Sequence, residues 1–206
     1  MSLALNKQIQ FGIKRIIDLC LAVIILIVGF PLFLSIALYI KINSDGSIIF
    51  VQERAGMHGA PFMCYKFRTM TEERGIDGNF LPDQYRLKAW GSFLRKTSLD
   101  ELPQIINVFK GEMSFIGPRP LPVKYLSRYS KEQMRRHEMQ PGITGWTGVN
   151  GRNNISWESK FRMDVWYIDN WSLWLDCKIF CLTFIKIIKR DGVNKKGYAT
   201  RDEFWG

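Results

Sequence analysis

Asp100 and Glu101 are adjacent acids in the run Ser98-Leu99-Asp100-Glu101-Leu102-Pro103, which has the S-x-x-E form of a capping box with proline tolerated in the first turn. The helix field at such an N-terminus stabilises anions by about 0.3–1 kcal/mol on an exposed surface, so both carboxylates are expected to stay ionised. An ordinary capped first turn is the plain structural reading of the pair. The chemical reading comes from the cations around it. Lys66, Arg68, Arg95, Arg119 and Arg152 all fall in or beside short turn-rich segments, where they can converge on a phosphate instead of lining a solvated face. Taken singly, each is an ordinary surface charge. Neighbouring helical residues point about 100° apart, so the two acids are expected to do different jobs.

The chain that must hold these residues has 206 positions, room for one globular core plus a membrane element but not for two full domains. A net charge of +10 calls for an anionic partner: nucleic acid, an acidic membrane surface or a phosphorylated small molecule. With 47% hydrophobic and 14% aromatic residues it is no disordered basic tail. The four cysteines form no C-x-x-C pair and His58 and His137 stand far from them, which argues against zinc; Cys177 and Cys181 read as small buried hydrophobes in a reducing compartment.

From Leu19 to Ile40 no residue is charged. A helix of that length, about 33 Å, reaches across a bilayer, and with no A-x-A-like site before Lys41 it is read as part of the mature protein. Pro31 and Gly29 interrupt it. Two arms of about 18 Å, with Lys7, Lys14 and Arg15 before and Lys41 after, predict a re-entrant hairpin whose ends share the cytoplasmic face. Ile48 to Gln52 and Phe62 to Phe67 predict a β-hairpin turning near Gly56 and Gly59, and Tyr85 to Lys96 a helix. A further helix should start at the capping box and reach about Phe109. Pro118, Pro120, Pro122, Pro141, Gly142, Gly145, Gly148 and Gly151 mark irregular backbone, and Trp157 to Asp169 and Leu173 to Arg190 return to helix. Leu173 to Arg190 either lies on anionic headgroups through Lys178, Lys186, Lys189 and Arg190 or packs on the core with its lysines in water.

Five motifs in one order carry a resemblance: Lys66-Phe67-Arg68-Thr69-Met70, Leu99-Asp100-Glu101-Leu102-Pro103-Gln104, Phe115-Ile116-Gly117-Pro118-Arg119-Pro120, Pro141-Gly142-Ile143-Thr144-Gly145 and Asn150-Gly151-Arg152-Asn153. Together they resemble the bacterial sugar transferase family, the monotopic phosphoglycosyl transferases, over about Lys14 to Phe204. With no multi-helix membrane domain ahead of the motifs, the chain is similar to the small stand-alone members, among them the enzyme that initiates bacterial N-linked glycan assembly. The resemblance implies that Asp100 is the nucleophile and a magnesium ligand, with Glu101 orienting metal, arginine or acceptor. It implies Arg119 and Arg152 at the nucleotide-sugar site and Lys66, Arg95 and Asp164 as active-site supports, although Lys66 and Asp164 read equally well as members of structural ion pairs. The chemistry agrees: a carboxylate approaching a diphosphate needs cations to offset repulsion.

The expected architecture is α+β, with a membrane-inserted re-entrant helix in 1–43 and, in 44–206, a catalytic domain with a small β element, amphipathic interfacial helices and a loop-rich active site. The expected reaction moves a sugar 1-phosphate from a UDP-sugar to polyprenol (undecaprenyl) phosphate through an aspartyl intermediate, releasing UMP, at the cytoplasmic face of the bacterial inner membrane as the first membrane step of glycoconjugate assembly. A single displacement with Asp100 only holding magnesium is the mechanistic rival. A basic module binding nucleic acid or anionic lipid is the rival function, and the absence of an RNP-like stacking motif or recognition helix argues against nucleic acid. The tail Gly197 to Phe204 resembles that of members acting on N-acetylated amino sugars, and Phe30 stands where the family often has serine before the proline.

Overall fold

The computed structural model describes residues 2–151, 155–189 and 203–206; Arg152, Asn153, Arg190 and the tail from Gly197 to Asp202 lie outside them. The uncharged run forms helices α1 (Ser2–Val28) and α2 (Phe30–Asn43), bent by 62° at Gly29. Pro31 falls in the first turn of α2, where its missing N–H leaves no bond unmade, so the clash expected with a carbonyl one turn back is avoided by starting a new helix. A side chain at residue 29 would press on the Ile25 carbonyl oxygen at 2.5 Å and on the Phe33 ring at 3.1 Å. Among the described residues no single helix is long and apolar enough to cross a membrane, but the bent pair is, by length and composition.

The polar half of α1 is stitched to the rest of the chain. Lys14 Nζ donates to the Ile116 carbonyl at 3.0 Å and to Asp176 at 2.5 Å, and Arg15 donates to the Val108 and Phe109 carbonyls at 2.6 and 2.9 Å. Asp18 Oδ1 accepts the Phe115 amide at 3.2 Å. Charges that look in sequence like flanks of a membrane segment are therefore structural, and Lys14 and Asp18 are both buried.

Strands β1 (Ile49–Ala55) and β2 (Pro61–Phe67) form the expected antiparallel hairpin, paired from Ile49 with Phe67 to Ala55 with Pro61. Beyond it, the helix expected over Tyr85 to Lys96 is two: α3 (Asp83–Arg86) and α4 (Ala89–Thr97). Thr71 explains the break, because its amide donates to the Arg86 carbonyl at 3.1 Å and its carbonyl accepts Arg86 Nε at 2.9 Å, which holds the chain out of helix at Leu87 and Lys88. A one-turn 3₁₀ helix (Leu99–Glu101) leads to α5 (Gln104–Lys110).

The proline- and glycine-rich stretch contains β3 (Ser114–Ile116), the short helix α6 (Lys131–Met134) and β4 (Gly142–Thr144), with β3 and β4 pairing in parallel. Gly117, Gly142 and Gly145 meet there backbone to backbone, so that a Cβ on Gly142 would collide with the Gly117 amide and one on Gly145 with the Gly117 carbonyl. Helices α7 (Trp146–Asn150), α8 (Trp157–Asp169) and α9 (Leu173–Lys189) complete an α+β fold. Ile105, Val108, Met113, Phe115, Tyr167, Leu175 and Ile179 share the main core with Ala22 of α1. Leu175 and Ile179 turn inward on α9, which places Trp174, Cys177, Cys181, Phe184 and Ile185 outside. The expectation that Cys177 and Cys181 are buried is thus corrected by helix phase.

Replacing Gly142 by alanine should cost about 3 kcal/mol or more, since neither backbone can yield. Gly12→Ala in α1, where nothing lies within 4 Å of the added carbon, should be neutral or stabilise by up to about 1 kcal/mol. Thermal unfolding of the detergent-solubilised variants checks both, and equal melting temperatures would refute the close approach.

Candidate active site

Asp100 and Glu101 sit on the 3₁₀ turn between α4 and α5, but Ser98 does not cap it. Ser98 adopts a left-handed conformation at φ 58° and closes α4, its amide turned to the Leu94 and Arg95 carbonyls. The capping-box expectation is therefore corrected, and Glu101 is freed from a helix end. Its carboxylate accepts Lys66 Nζ from β2 at 2.7 Å and both terminal nitrogens of Arg119, from the loop after β3, one of them at 3.2 Å. Burial alone would raise the Glu101 pKa, but the charges and hydrogen bonds of Arg119 and Lys66 outweigh it and hold the carboxyl well below the usual range. The same pairing pushes the Arg119 guanidinium up, Glu101 being the largest cause.

Asp100 meets a different environment one residue away. It is 8% exposed, and among the described residues its carboxylate makes no hydrogen bond or ion pair. Burial, then the Glu101 charge, push it up to about 6 against the pull of Lys66, Arg119 and Arg95. The two acids do part company, as their spacing predicts: one is clamped and ionised, the other is desolvated and makes no direct ion pair among the described residues.

The remaining predicted residues spread more widely. Arg95, in the last turn of α4, donates to Thr69 Oγ1 at 2.9 Å and adds positive charge near Asp100. The guanidinium of Arg68 pairs instead with the exposed Glu72. Asp164, on α8, is buried beneath the site, where it accepts Arg136 Nε at 3.0 Å, Arg136 Nη2 at 2.8 Å and the Thr147 hydroxyl at 2.5 Å. Of the two readings open in sequence, the geometry of Asp164 is that of a structural ion pair. Arg136 also donates to the Arg119 carbonyl at 2.8 Å, so the pair fixes the main chain that presents Arg119. Nothing in the run Arg135-Arg136-His137 separates Arg136 from a solvated charge, and sequence reasoning misses it.

Asp100 is also the residue to test against the magnesium that the resemblance implies. Among the described residues there is no cluster of three or more potential metal ligands. Magnesium commonly keeps its waters and takes one or two carboxylates plus substrate phosphates. A buried carboxylate that makes no direct ion pair among the described residues suits a cation that arrives with a diphosphate, so the donor set fits.

The family described as bacterial sugar transferase matches residues 9–190. An uncharacterised sugar transferase of Bacillus subtilis is 48% identical over 94% of the chain and 96% of its own length. The undecaprenyl-phosphate galactose phosphotransferase of Salmonella typhimurium is 38% identical over 91% of the chain, and the UDP-glucose:undecaprenyl-phosphate glucose-1-phosphate transferase of Escherichia coli 41% identical over 90%. The alignments take in only 43% and 41% of those two enzymes, so the chain spans less than half of their length.

The raised Asp100 pKa has a sign that can be checked. An acid whose pKa is higher folded than unfolded destabilises the fold above the folded value, and the cost vanishes as pH falls below the unfolded value near 4. Asp100→Asn should therefore stabilise the protein by roughly 1–3 kcal/mol at pH 8 and by about 0.5 kcal/mol or less at pH 4. Unfolding followed across that range tests this; a variant less stable at pH 8 would contradict the environment described.

Proposed function

Because the chain belongs to the bacterial sugar transferase family, we propose that it moves a sugar 1-phosphate from a UDP-sugar to undecaprenyl phosphate, with Asp100 as nucleophile. The observation that carries this is the desolvated Asp100 carboxylate, without an ion pair among the described residues, beside a Glu101 clamped by Lys66 and Arg119. A carboxylate stripped of water and of hydrogen bonds is the more reactive for it. An Asp100 oxygen attacks the phosphorus that bears the sugar, the bond from that phosphorus to the bridging oxygen breaks, and UMP leaves with the electron pair. An oxygen of the lipid phosphate then attacks the same phosphorus, the aspartyl bond breaks and the carboxylate is regenerated. Arg119, aligned by Glu101 and by the Arg136 bond to its carbonyl, faces the charge that develops on the leaving phosphate. Magnesium, held by Asp100 and the substrate phosphates, would supply further neutralisation of that charge. The relatives' names carry glucose and galactose, while the amino-sugar reading rests on a tail of which only Glu203 and Phe204 fall within the described residues.

Radiolabelled UDP-sugar mixed with active enzyme and no lipid acceptor should leave acid-labile label on the protein, and Asp100→Asn should abolish both label and turnover. An unlabelled protein with full turnover would mean a single displacement. UDP-glucose, UDP-galactose and UDP-N-acetylglucosamine assayed for UMP release assign the sugar.

In this reading the uncharged part of 1–43 enters the membrane as a re-entrant hairpin bent at Gly29, its base at Lys14 to Asp18 is held against the domain, and 44–206 is catalytic on the cytoplasmic face. Support comes from the 62° bend and from the exposure of Ile24, Ile27, Val28, Phe30, Leu34 and Leu38 around it. Trp174, Phe184 and Ile185 give α9 an exposed apolar edge that suits the same surface. With the native cysteines removed, a cysteine at position 6 should react with a membrane-impermeant maleimide only after lysis. Strong labelling of intact spheroplasts would show a true span.

A further inference from the structure

Arg54, near the end of β1, is a cation that the mechanism above leaves idle. The hairpin register sets Phe50 opposite Lys66, Gln52 opposite Cys64 and Arg54 opposite Phe62, so these six side chains share one face. That face sends Lys66 to Glu101. The strand end is also tied to the arginine loop, since the Ala55 amide donates to the Leu121 carbonyl, two residues past Arg119, at 2.9 Å. Arg54 is half-buried and donates to the neutral Gln52 side chain; among the described residues it makes no ion pair. Lys66 and Arg119 both spend charge on Glu101, whereas Arg54 does not. Burial, then the nearby positive charge of Arg119, lower its pKa, with Glu101 acting the other way.

A guanidinium that is partly desolvated beside another cation and without an acid is costly until an anion arrives, and its fork matches two phosphate oxygens. Position along the strand decides which anion. Ile49, at the other end of β1, packs with Ile36 and Ile40 of α2. Five residues of strand put Arg54 about 17 Å from Ile49, the strand's contact with that apolar arm, and so toward the water-soluble end of the substrate rather than its lipid acceptor in this reading. We propose that Arg54 is a further substrate-binding residue that, with Arg119, receives phosphoryl oxygens on the nucleotide side of the phosphorus attacked by Asp100. This rests on the sugar-phosphate transfer reading.

The test uses the full chain in detergent with magnesium, following UMP release as UDP-sugar and lipid phosphate are varied in turn. Arg54→Gln should raise KM for UDP-sugar, and Ki for UDP as inhibitor, by roughly tenfold to a hundredfold, while KM for lipid phosphate stays within twofold. Arg54→Lys, which keeps the charge but loses the fork, should fall between. An unchanged KM for UDP-sugar, or a rise confined to lipid phosphate, would overturn the assignment. So would a loss of kcat and melting temperature alike in both variants, which would make Arg54 structural. If the unmodified protein released no UMP from any UDP-sugar, the transfer reading would fall by itself; calorimetric titration with magnesium and UDP would then decide Arg54, with binding weakened by the substitution expected and equal binding fatal.

Discussion

The ion pairing of Glu101 with Lys66 and Arg119 is the constraint from which the site is built. It draws together three elements that are distant in sequence: the hairpin, the turn between α4 and α5, and the loop after β3. It also fixes a negative charge one residue from Asp100, which adds to the burial that disfavours ionisation there. A carboxylate in that position is poised for a cation. The two Arg119 contacts to Glu101 are geometric as well as electrostatic, because a planar guanidinium that meets a carboxylate on two nitrogens is held in orientation as well as in place.

Beneath this pair lies a second, fully buried one. Arg136 and Asp164 have side chains 1% and 2% exposed, and the Thr147 hydroxyl takes up the second Asp164 oxygen. Such a pair adds little net stability over a well-packed apolar alternative, although breaking it by removing one partner is expensive. Its use here is directional: the nitrogen that meets Asp164 also bonds the Arg119 carbonyl. Position is passed from the core helix α8 to the loop that carries Arg119.

What could be read in the sequence follows what local chemistry decides. The hairpin, α8 and the break near Pro31 were legible because alternation, helical period and a missing amide act within a few residues. Ser98 was not: a serine three residues before a glutamate looks the same whether it opens the next helix or closes the last, and the Leu94 and Arg95 carbonyls decided it. The Asp-Glu pair and its cations could be found by type, yet their division of labour required the fold. Lys66 and Arg119 converge on Glu101, while Arg68 turns to Glu72 across a local turn. Lys14 and Asp18 illustrate the same limit. Beside a long apolar run they look like its polar border, and only tertiary packing shows them buried.

That packing sets an uneven demand on the residues that make the joint between α1 and the rest of the chain. Lys14, Arg15 and Asp18 must each be what they are, because length and charge let them reach. Apart from Asp176, what they grip at 108, 109, 115 and 116 is main chain, which any residue but proline at 115 would supply. The side chains at those four positions, three of them buried and Phe109 half exposed, are thus at liberty to drift in size and shape while the hinge pins stay seated. The first helix and the strand leading to Arg119 would keep their mutual register even as the packing around them is rewritten.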